Sequence, residues 1–305
     1  MLDLSQLPAK KVMYPNGKHL LIDGDFIVHS SASSADGRTY IISKHKDTRG
    51  YGETFKYKKD AREWCVQNGV DEAQIQLEYH PEPVENALHN AKTQLAGIIK
   101  GCASDNYQIY VHGGGNFRHD IYPDYKAHRA EQRKPEHLEA VKDYLVNRWG
   151  AIKVEGMETD DKLGIQQMKG IRMAEDTLES SSTMIVSHDK DLDMIPGWHY
   201  KIKYGKPVDQ GETYFIDELE GWKLFFTQCL TGDSTDGIPG LYKITGDKAT
   251  RLKKFTIDKC ENPQDMWEAV KIFWGQDYQE ELMITANLLW IKRQEGEEDW
   301  IHLLT

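Results

Sequence analysis

Residues 183–195, Thr-Met-Ile-Val-Ser-His-Asp-Lys-Asp-Leu-Asp-Met-Ile, constrain the fold of this chain more than any other stretch. Met184, Ile185 and Val186 form an apolar run long enough for a buried parallel strand, and the run stops at Ser187 and His188 before Asp189, Asp191 and Asp193. In an open α/β sheet, ligands bind in the crevice beyond the carboxyl ends of the strands, so acids placed there look into a site. The same pattern recurs where His19-Leu20-Leu21-Ile22 runs into Asp23-Gly24-Asp25.

The remaining periodicities build a sheet around these two strands. Tyr107 to Val111, Ala151 to Val154, His199 to Tyr204 and Glu212 to Ile216 read as strands, and Thr39 to Ser43 with Thr54 to Tyr57 reads as a hairpin inserted at 39–57. Helical spacing covers Lys58 to Gln67, Val84 to Ile99, Pro135 to Trp149 and a helix opened by Glu158-Thr159-Asp160-Asp161. Asp217 is placed to cap a helix through Leu230, and Lys248 to Phe255, Pro263 to Trp274 and Tyr278 to Lys292 are helical in pattern. The expected fold is α/β, a mostly parallel central sheet flanked by helices over 1–216, followed by a helical C-terminal module over 217–305.

No apolar run approaches the roughly 20 residues of a membrane helix, and the N-terminus carries no signal-peptide pattern, so a cytoplasmic protein with no membrane partner is expected. The four cysteines form no CxxC pair, which disfavours a zinc site or a disulfide framework. A net charge of −11 opposes contact with nucleic acid, but its distribution is uneven. Asn116 to Lys134 holds five Lys or Arg against three Asp or Glu, and Tyr242 to Lys259 holds six against two. Two basic segments on an acidic chain suit a metal centre flanked by phosphate contacts.

Four acid clusters fall at loops or helix starts: Asp23/Asp25, Glu158/Asp160/Asp161, Asp189/Asp191/Asp193 and Asp233/Asp236. Any one of them reads equally as solvated turn or capping residues. Brought together by a sheet, they would repel one another unless cations neutralised them. Oxygen-only ligands select hard ions, Mg²⁺ with Mn²⁺ able to substitute, and two such ions about 3.5 to 4 Å apart suit phosphodiester hydrolysis.

The order of motifs resembles the 5′-3′ exonuclease and flap endonuclease superfamily, especially its compact bacteriophage members. The resemblance is carried by Ile22-Asp23-Gly24-Asp25, Phe117-Arg118, Pro123-Asp124-Tyr125-Lys126-Ala127-His128-Arg129, Glu158-Thr159-Asp160-Asp161, Ser187-His188-Asp189-Lys190-Asp191 and Gly232-Asp233 to Asp236-Gly237-Ile238-Pro239-Gly240. It implies a PIN-like 5′ nuclease core with one metal subsite from Asp23, Glu158, Asp160 and Asp161, and another from Asp189, Asp191, Asp233 and Asp236. It further implies a basic gateway at 113–135 in which Lys126 and Arg129 act on the scissile phosphate, Tyr125 stacks and Arg118 contacts a further phosphate. A helix-three-turn-helix after residue 233 would grip duplex backbone through Lys243, Lys248 and Arg251 and hold K⁺ at its hairpin. The implied activity is cleavage near 5′ ends, flaps or nicks of duplex DNA, with RNA–DNA hybrids as substrates in primer removal and replication proteins as partners. One departure stands out: His112-Gly113-Gly114-Gly115 occupies the place where relatives carry a metal-binding acid, for which Asp25 or His112 are the candidate substitutes. That departure sustains the alternative of a catalytically weakened DNA-binding accessory protein.

Overall fold

The structure, a computed structural model, describes residues 17–42, 52–173, 181–203, 205–246 and 250–304, with the side chains of residues 130 and 250–252 outside that description. In chain order the elements are β1 (His19–Asp23), α1 (Gly24–Ser34), β2 (Arg38–Ile42), β3 (Glu53–Phe55), α2 (Lys58–Asn68), β4 (Ile75–Tyr79), α3 (Val84–Gly101), β5 (Tyr107–Gly114), α4 (Arg118–Ile121), α5 (Ala127–Ala130), α6 (Leu138–Trp149), β6 (Ile152–Glu155) and α7 (Thr159–Arg172). They continue with β7 (Thr183–Ser187), β8 (Gly197–Lys201), β9 (Glu212–Ile216), α8 (Glu218–Thr231), β10 (Gly232–Asp233), β11 (Ile238–Pro239), α9 (Leu241–Thr245), α10 (Thr250–Lys259), α11 (Pro263–Trp274) and α12 (Gln279–Leu289). The strand ends expected at Ser43 and Tyr204 lie outside the described residues.

Two compact units emerge, one formed by Met1–Phe26, Gln94–Arg133 and Leu145–Thr305, the other by Ile27–Thr93 and Lys134–Tyr144. The larger unit is built on a six-stranded sheet in the order β6-β5-β1-β7-β8-β9. All pairs are parallel except β8 with β9. The central strands are apolar throughout because both faces are covered: Leu20, Leu21, Ile22, Met184, Ile185 and Val186 are all buried. From β1 the chain builds outward through β5 and β6, then returns to the other side of β1 with β7. That reversal makes the carboxyl ends of β1 and β7 the topological switch point, where Asp23 and Ser187 end their strands.

Residues on both sides of the expected boundary at 216 fall in the larger unit and share one buried cluster. Trp222, Phe225 and Phe226 on α8 join Ile185 of β7 and Leu192 and Met194 in one buried cluster. Trp222 stacks on Phe226 and Trp290 at centroid distances of 5.6 and 5.2 Å. Asp217 caps α8 as its position predicts, accepting from the Glu220 amide at 2.7 Å while Glu220 accepts from the Asp217 amide at 3.1 Å.

The smaller unit contains the inserted hairpin, β2 antiparallel to β3 with Tyr40 opposite Phe55. A third strand missed by the sequence reading, β4, pairs with the other edge of β2. Ile42, Ala61 and Cys65 form its buried centre, with Trp64 and Phe55 packed against them.

Candidate metal centre

Parallel registry places Ile22 opposite Val186, so Asp23 arrives beside Ser187. Ser187 Oγ donates to Asp23 Oδ2 at 2.8 Å and accepts from the Asp189 amide at 2.9 Å, clipping the two strand ends together. Ser187 was legible as the end of an apolar run but not as this clip. Asp25 serves a different purpose. Its oxygens accept from the His112 amide at 2.9 Å and from Thr159 Oγ1 at 2.6 Å, tying β5 and the start of α7 to the end of β1.

The first turn of α7 brings Asp160 to the same crevice. Burial, followed by the charges of Asp23, Asp189 and Glu158, holds the Asp160 carboxyl well above the usual carboxylate range. Burial and then the neighbouring Asp25 push Asp23 up to about 7. Asp191 is likewise pushed up to about 7, by burial and then by Asp189, with Asp233 adding to the effect, and Gln228 Nε2 donates to its Oδ1 at 2.6 Å. Glu158, Asp160, Asp191, Asp233 and Asp236 line one cavity of about 30 Å³, together with Tyr125 and Gln228. That is the space of about one water molecule, enough for a small ion.

Among the described residues no three acid, histidine or cysteine side chains already stand in ligating positions. The chemistry of the donor set nevertheless fits hard divalent cations: every acid named is an oxygen donor, and burial first, then the charges of acidic neighbours, raises Asp23, Asp160 and Asp191. A cation among them would relieve that repulsion and the desolvation of the charged forms.

Cationic side chains of the basic segment reach into this acid group. Lys126 Nζ lies 2.6 Å from Glu158 Oε1 and 3.1 Å from Asp236 Oδ2, and Arg129 pairs with Asp236 and donates to the Thr235 carbonyl at 3.3 Å. Lys126 has a left-handed backbone, φ 56°, a conformation uncommon outside glycine, held by its amide donating to the Asp236 carbonyl at 3.2 Å. Burial lowers and Glu158 then Asp236 raise the Lys126 ammonium, which ends above its ordinary value, while burial raises Glu158 and Arg118 then Lys126 bring it below its own.

Three expected roles are corrected. Arg118 is 2 % exposed and faces inward rather than toward a phosphate. Its Nη1 and Nη2 grip both Asp161 oxygens at 2.6 and 3.0 Å, while Nε and Nη2 donate to the Leu288 and Trp290 carbonyls at 2.8 and 2.5 Å. Asp161, fully buried, also accepts from the Glu158 and Lys292 amides at 3.1 Å each, so its lone pairs are committed and it is not a metal ligand. Tyr125 is 2 % exposed, with its hydroxyl 3.2 Å from both Glu158 Oε2 and Asp236 Oδ2, and so offers no face for a base to stack on. Asp193, grouped by sequence with Asp189 and Asp191, turns away to Lys201 at 3.1 Å and Tyr214 at 2.5 Å.

The glycine at the place of the expected acid has a structural counterpart. A Cβ on Gly113 would come within 2.2 Å of Glu155 Oε1, so the space of a side chain there is filled by a carboxylate from the adjacent strand β6. Asp25, one of the two candidate substitutes, is occupied as described, and the His112 amide is its donor. In the C-terminal segment Lys243 is exposed on α9, whereas Lys248, the turn expected to hold K⁺ around it, and the Arg251 side chain lie outside the described residues.

Residues 77–215 match the family described as 5′-3′ exonuclease, N-terminal resolvase-like domain. Among curated relatives, the thermostable DNA polymerase I of Thermus filiformis is 33% identical over 183 residues, covering 56% of this chain and 20% of its own length. DNA polymerase I of Rhizobium leguminosarum is 31% identical over 159 residues, covering 47% and 14%. The chain thus spans about a fifth or less of the length of these relatives. Of solved structures, a flap endonuclease of bacteriophage T5, in a pseudo-enzyme–product complex with DNA and metal ions, aligns with a TM-score of 0.49 and 12% identity over 88% of both chains. The T5 5′-exonuclease with bound zinc aligns with a TM-score of 0.46 and 13% identity over 89% and 88%.

Proposed function

We propose that the chain belongs to the 5′ nuclease superfamily and is a divalent-metal-dependent nuclease hydrolysing phosphodiester bonds near the 5′ ends of duplex DNA. The observation that carries this reading is the small cavity onto which Glu158, the N-cap of α7, and Asp160 in its first turn converge with Asp191, Asp233 and Asp236. Asp23, Glu158 and Asp160 would hold one Mg²⁺ or Mn²⁺, and Asp189, Asp191, Asp233 and Asp236 the other. Such ions, when bound, supply Lewis-acid polarisation of the phosphodiester and acidification of an attacking water.

The chain's own residues contribute positioning and charge. Lys126 and Arg129, held on Glu158 and Asp236, are cations set directly against the acids and exchange those partners for a non-bridging phosphate oxygen as substrate enters. Tyr125 orients Glu158 and Asp236 from beneath, and Ser187 fixes the separation of Asp23 and Asp189. Lys243, with Lys248 and Arg251 alongside it in sequence, supplies sequence-independent contacts to duplex phosphates. Flap, nick and RNA–DNA hybrid substrates and a part in primer removal during phage replication follow as the finer form of the same proposal.

The test is cleavage of a 5′-labelled flap duplex by the purified chain in Mg²⁺, Mn²⁺ or EDTA. Asp189→Asn is expected to abolish most cleavage while leaving duplex affinity within about threefold of wild type, a shift of under about 1 kcal/mol. Tight binding without cleavage in either metal would reject the enzymatic reading in favour of an accessory role.

A further inference from the structure

The smaller unit carries a second site of a different character. Between the end of α1, the strands β2 and β3 and the start of α2 lies an open cavity of about 770 Å³, within the size range of ligand pockets. Its lining includes Arg38, Lys56, Lys58 and His80 against one carboxylate, that of Glu82, which is engaged by Asn86 Nδ2 at 2.7 Å. Lys59 and Arg62 on the outer turns of α2 are paired with Glu63 and Glu72. Among the described residues Arg38, Lys56 and Lys58 enter no ion pair, and two of them lie over tyrosine rings: Arg38 is 6.0 Å from the Tyr79 centroid and Lys56 is 5.7 Å from that of Tyr57. On a chain of net charge −11, unpaired cations gathered around one cavity are a concentrated anion-attracting patch.

Two local choices there run against stability. Lys58 opens α2, where the helix dipole disfavours a cation by about a few tenths of a kcal/mol or more. Tyr57 stands at the N-cap position, where a serine or aspartate would satisfy a free amide, and its side chain makes no capping bond. Its ring is instead 59 % exposed beside the cavity, with Tyr40 and Phe55 half-buried behind it. Gly37, at φ 54°, lets the floor close: its carbonyl accepts from the His80 amide at 2.8 Å, and a Cβ there would meet the His80 carbonyl at 2.1 Å. Departures from local stability rules that converge on one opening mark a functional surface.

We propose that this cavity is a binding site for a nucleotide unit of single-stranded nucleic acid, with the base on the Tyr57 ring and the flanking phosphates on Arg38, Lys56 and Lys58. Exposed aromatic faces interleaved with cations are the arrangement by which proteins hold single strands without reading sequence. The openness of the site suits a strand passing through better than a free nucleotide, which pockets enclose on most sides. None of its lining residues belongs to the acid cavity, and its occupancy does not depend on hydrolysis.

The test uses the full chain in EDTA, so that no cleavage occurs, with an oligothymidylate carrying 5-iododeoxyuridine. Photo-crosslinks mapped by mass spectrometry are expected on the peptide holding Tyr57. Lys56→Glu with Lys58→Glu should cut that crosslink by about tenfold or more while leaving crosslinks elsewhere unchanged. Arg38→Ala with Lys56→Ala should lower the salt dependence of crosslinking at this peptide by about 1.4 in log–log slope, about 0.7 for each lost phosphate contact. Tyr57→Phe should retain binding that Tyr57→Ala loses. Absence of any crosslink in 27–93, or crosslinks there insensitive to the lysine reversals, overturns the proposal. Loss of the crosslink on adding millimolar thymidine monophosphate, but not inorganic phosphate, would assign the site to a free nucleotide and overturn the strand assignment.

Discussion

Replacing Arg118 with alanine tests whether this arginine of the basic segment is a phosphate contact or a structural strut. The guanidinium is 2 % exposed and makes two bonds to Asp161 and two to the Leu288 and Trp290 carbonyls. Its removal leaves the fully buried Asp161 carboxylate with only the Glu158 and Lys292 amides as partners, and strands two carbonyls. Breaking a buried ion pair from one side costs about 3–5 kcal/mol. For a chain of this length that corresponds to a fall in Tm on the order of 5–8 °C. Urea titration with a fluorescence readout should show the loss, and Arg118→Leu combined with Asp161→Leu should recover much of it, because the double change leaves no orphaned charge. The slope of log affinity for duplex against log salt should not change. A variant with wild-type stability and a slope shallower by about 0.9 would instead establish Arg118 as a phosphate contact and refute the strut.

In EDTA the chain should lose stability as the pH rises from mildly acidic to neutral. Asp23 and Asp191 are pushed up to about 7 from 3.8, and a carboxyl whose folded value is raised contributes stability that is fully present below its unfolded value and lost as pH rises through the folded one. The denaturation midpoint should therefore fall between about pH 4 and pH 7 and level off above that, and Asp23→Asn with Asp191→Asn should flatten the profile; an unchanged slope in that double variant would contradict the assigned burial. Restoring the expected acid by Gly113→Asp should displace the exposed Glu155 carboxylate, whose Oε1 its Cβ would meet at 2.2 Å, at a cost of about 1 kcal/mol or less because that oxygen ends a flexible side chain. Glu155→Ala in the same chain should relieve most of that cost in a thermal melt, and equal melting of the single and double variants would show that the two positions do not compete for space.

The acid-bearing strand ends were legible because two apolar runs each stop at a group of carboxylates, and the β1 and β7 ends meet as that repetition implies. Pro263–Trp274 was equally legible, with Asn262 capping and proline at the first turn. β4 escaped notice because Ile75–Tyr79 turns three exposed residues outward and finds its place only by pairing with β2, a contact no local pattern announces. The helix expected to run from Tyr278 to Lys292 ends at Leu289, and the Leu288 and Trp290 carbonyls at this exit are the ones Arg118 takes up. The burial of Arg118 and Tyr125 was hidden for a similar reason: their partners come from α7, Asp236 and the end of α12. One signal was present in the sequence, since Glu158 and Asp161 have the spacing of an N-cap and its capping-box partner, which commits Asp161 to the helix start.

The central claim, that acids from separate strand ends and helix starts meet to hold divalent cations, is tested most directly by anomalous diffraction from crystals soaked in Mn²⁺. The account predicts manganese density within coordination distance of Asp160 or Asp23 and of Asp191 or Asp233. Ordered manganese elsewhere with none in this crevice would contradict it.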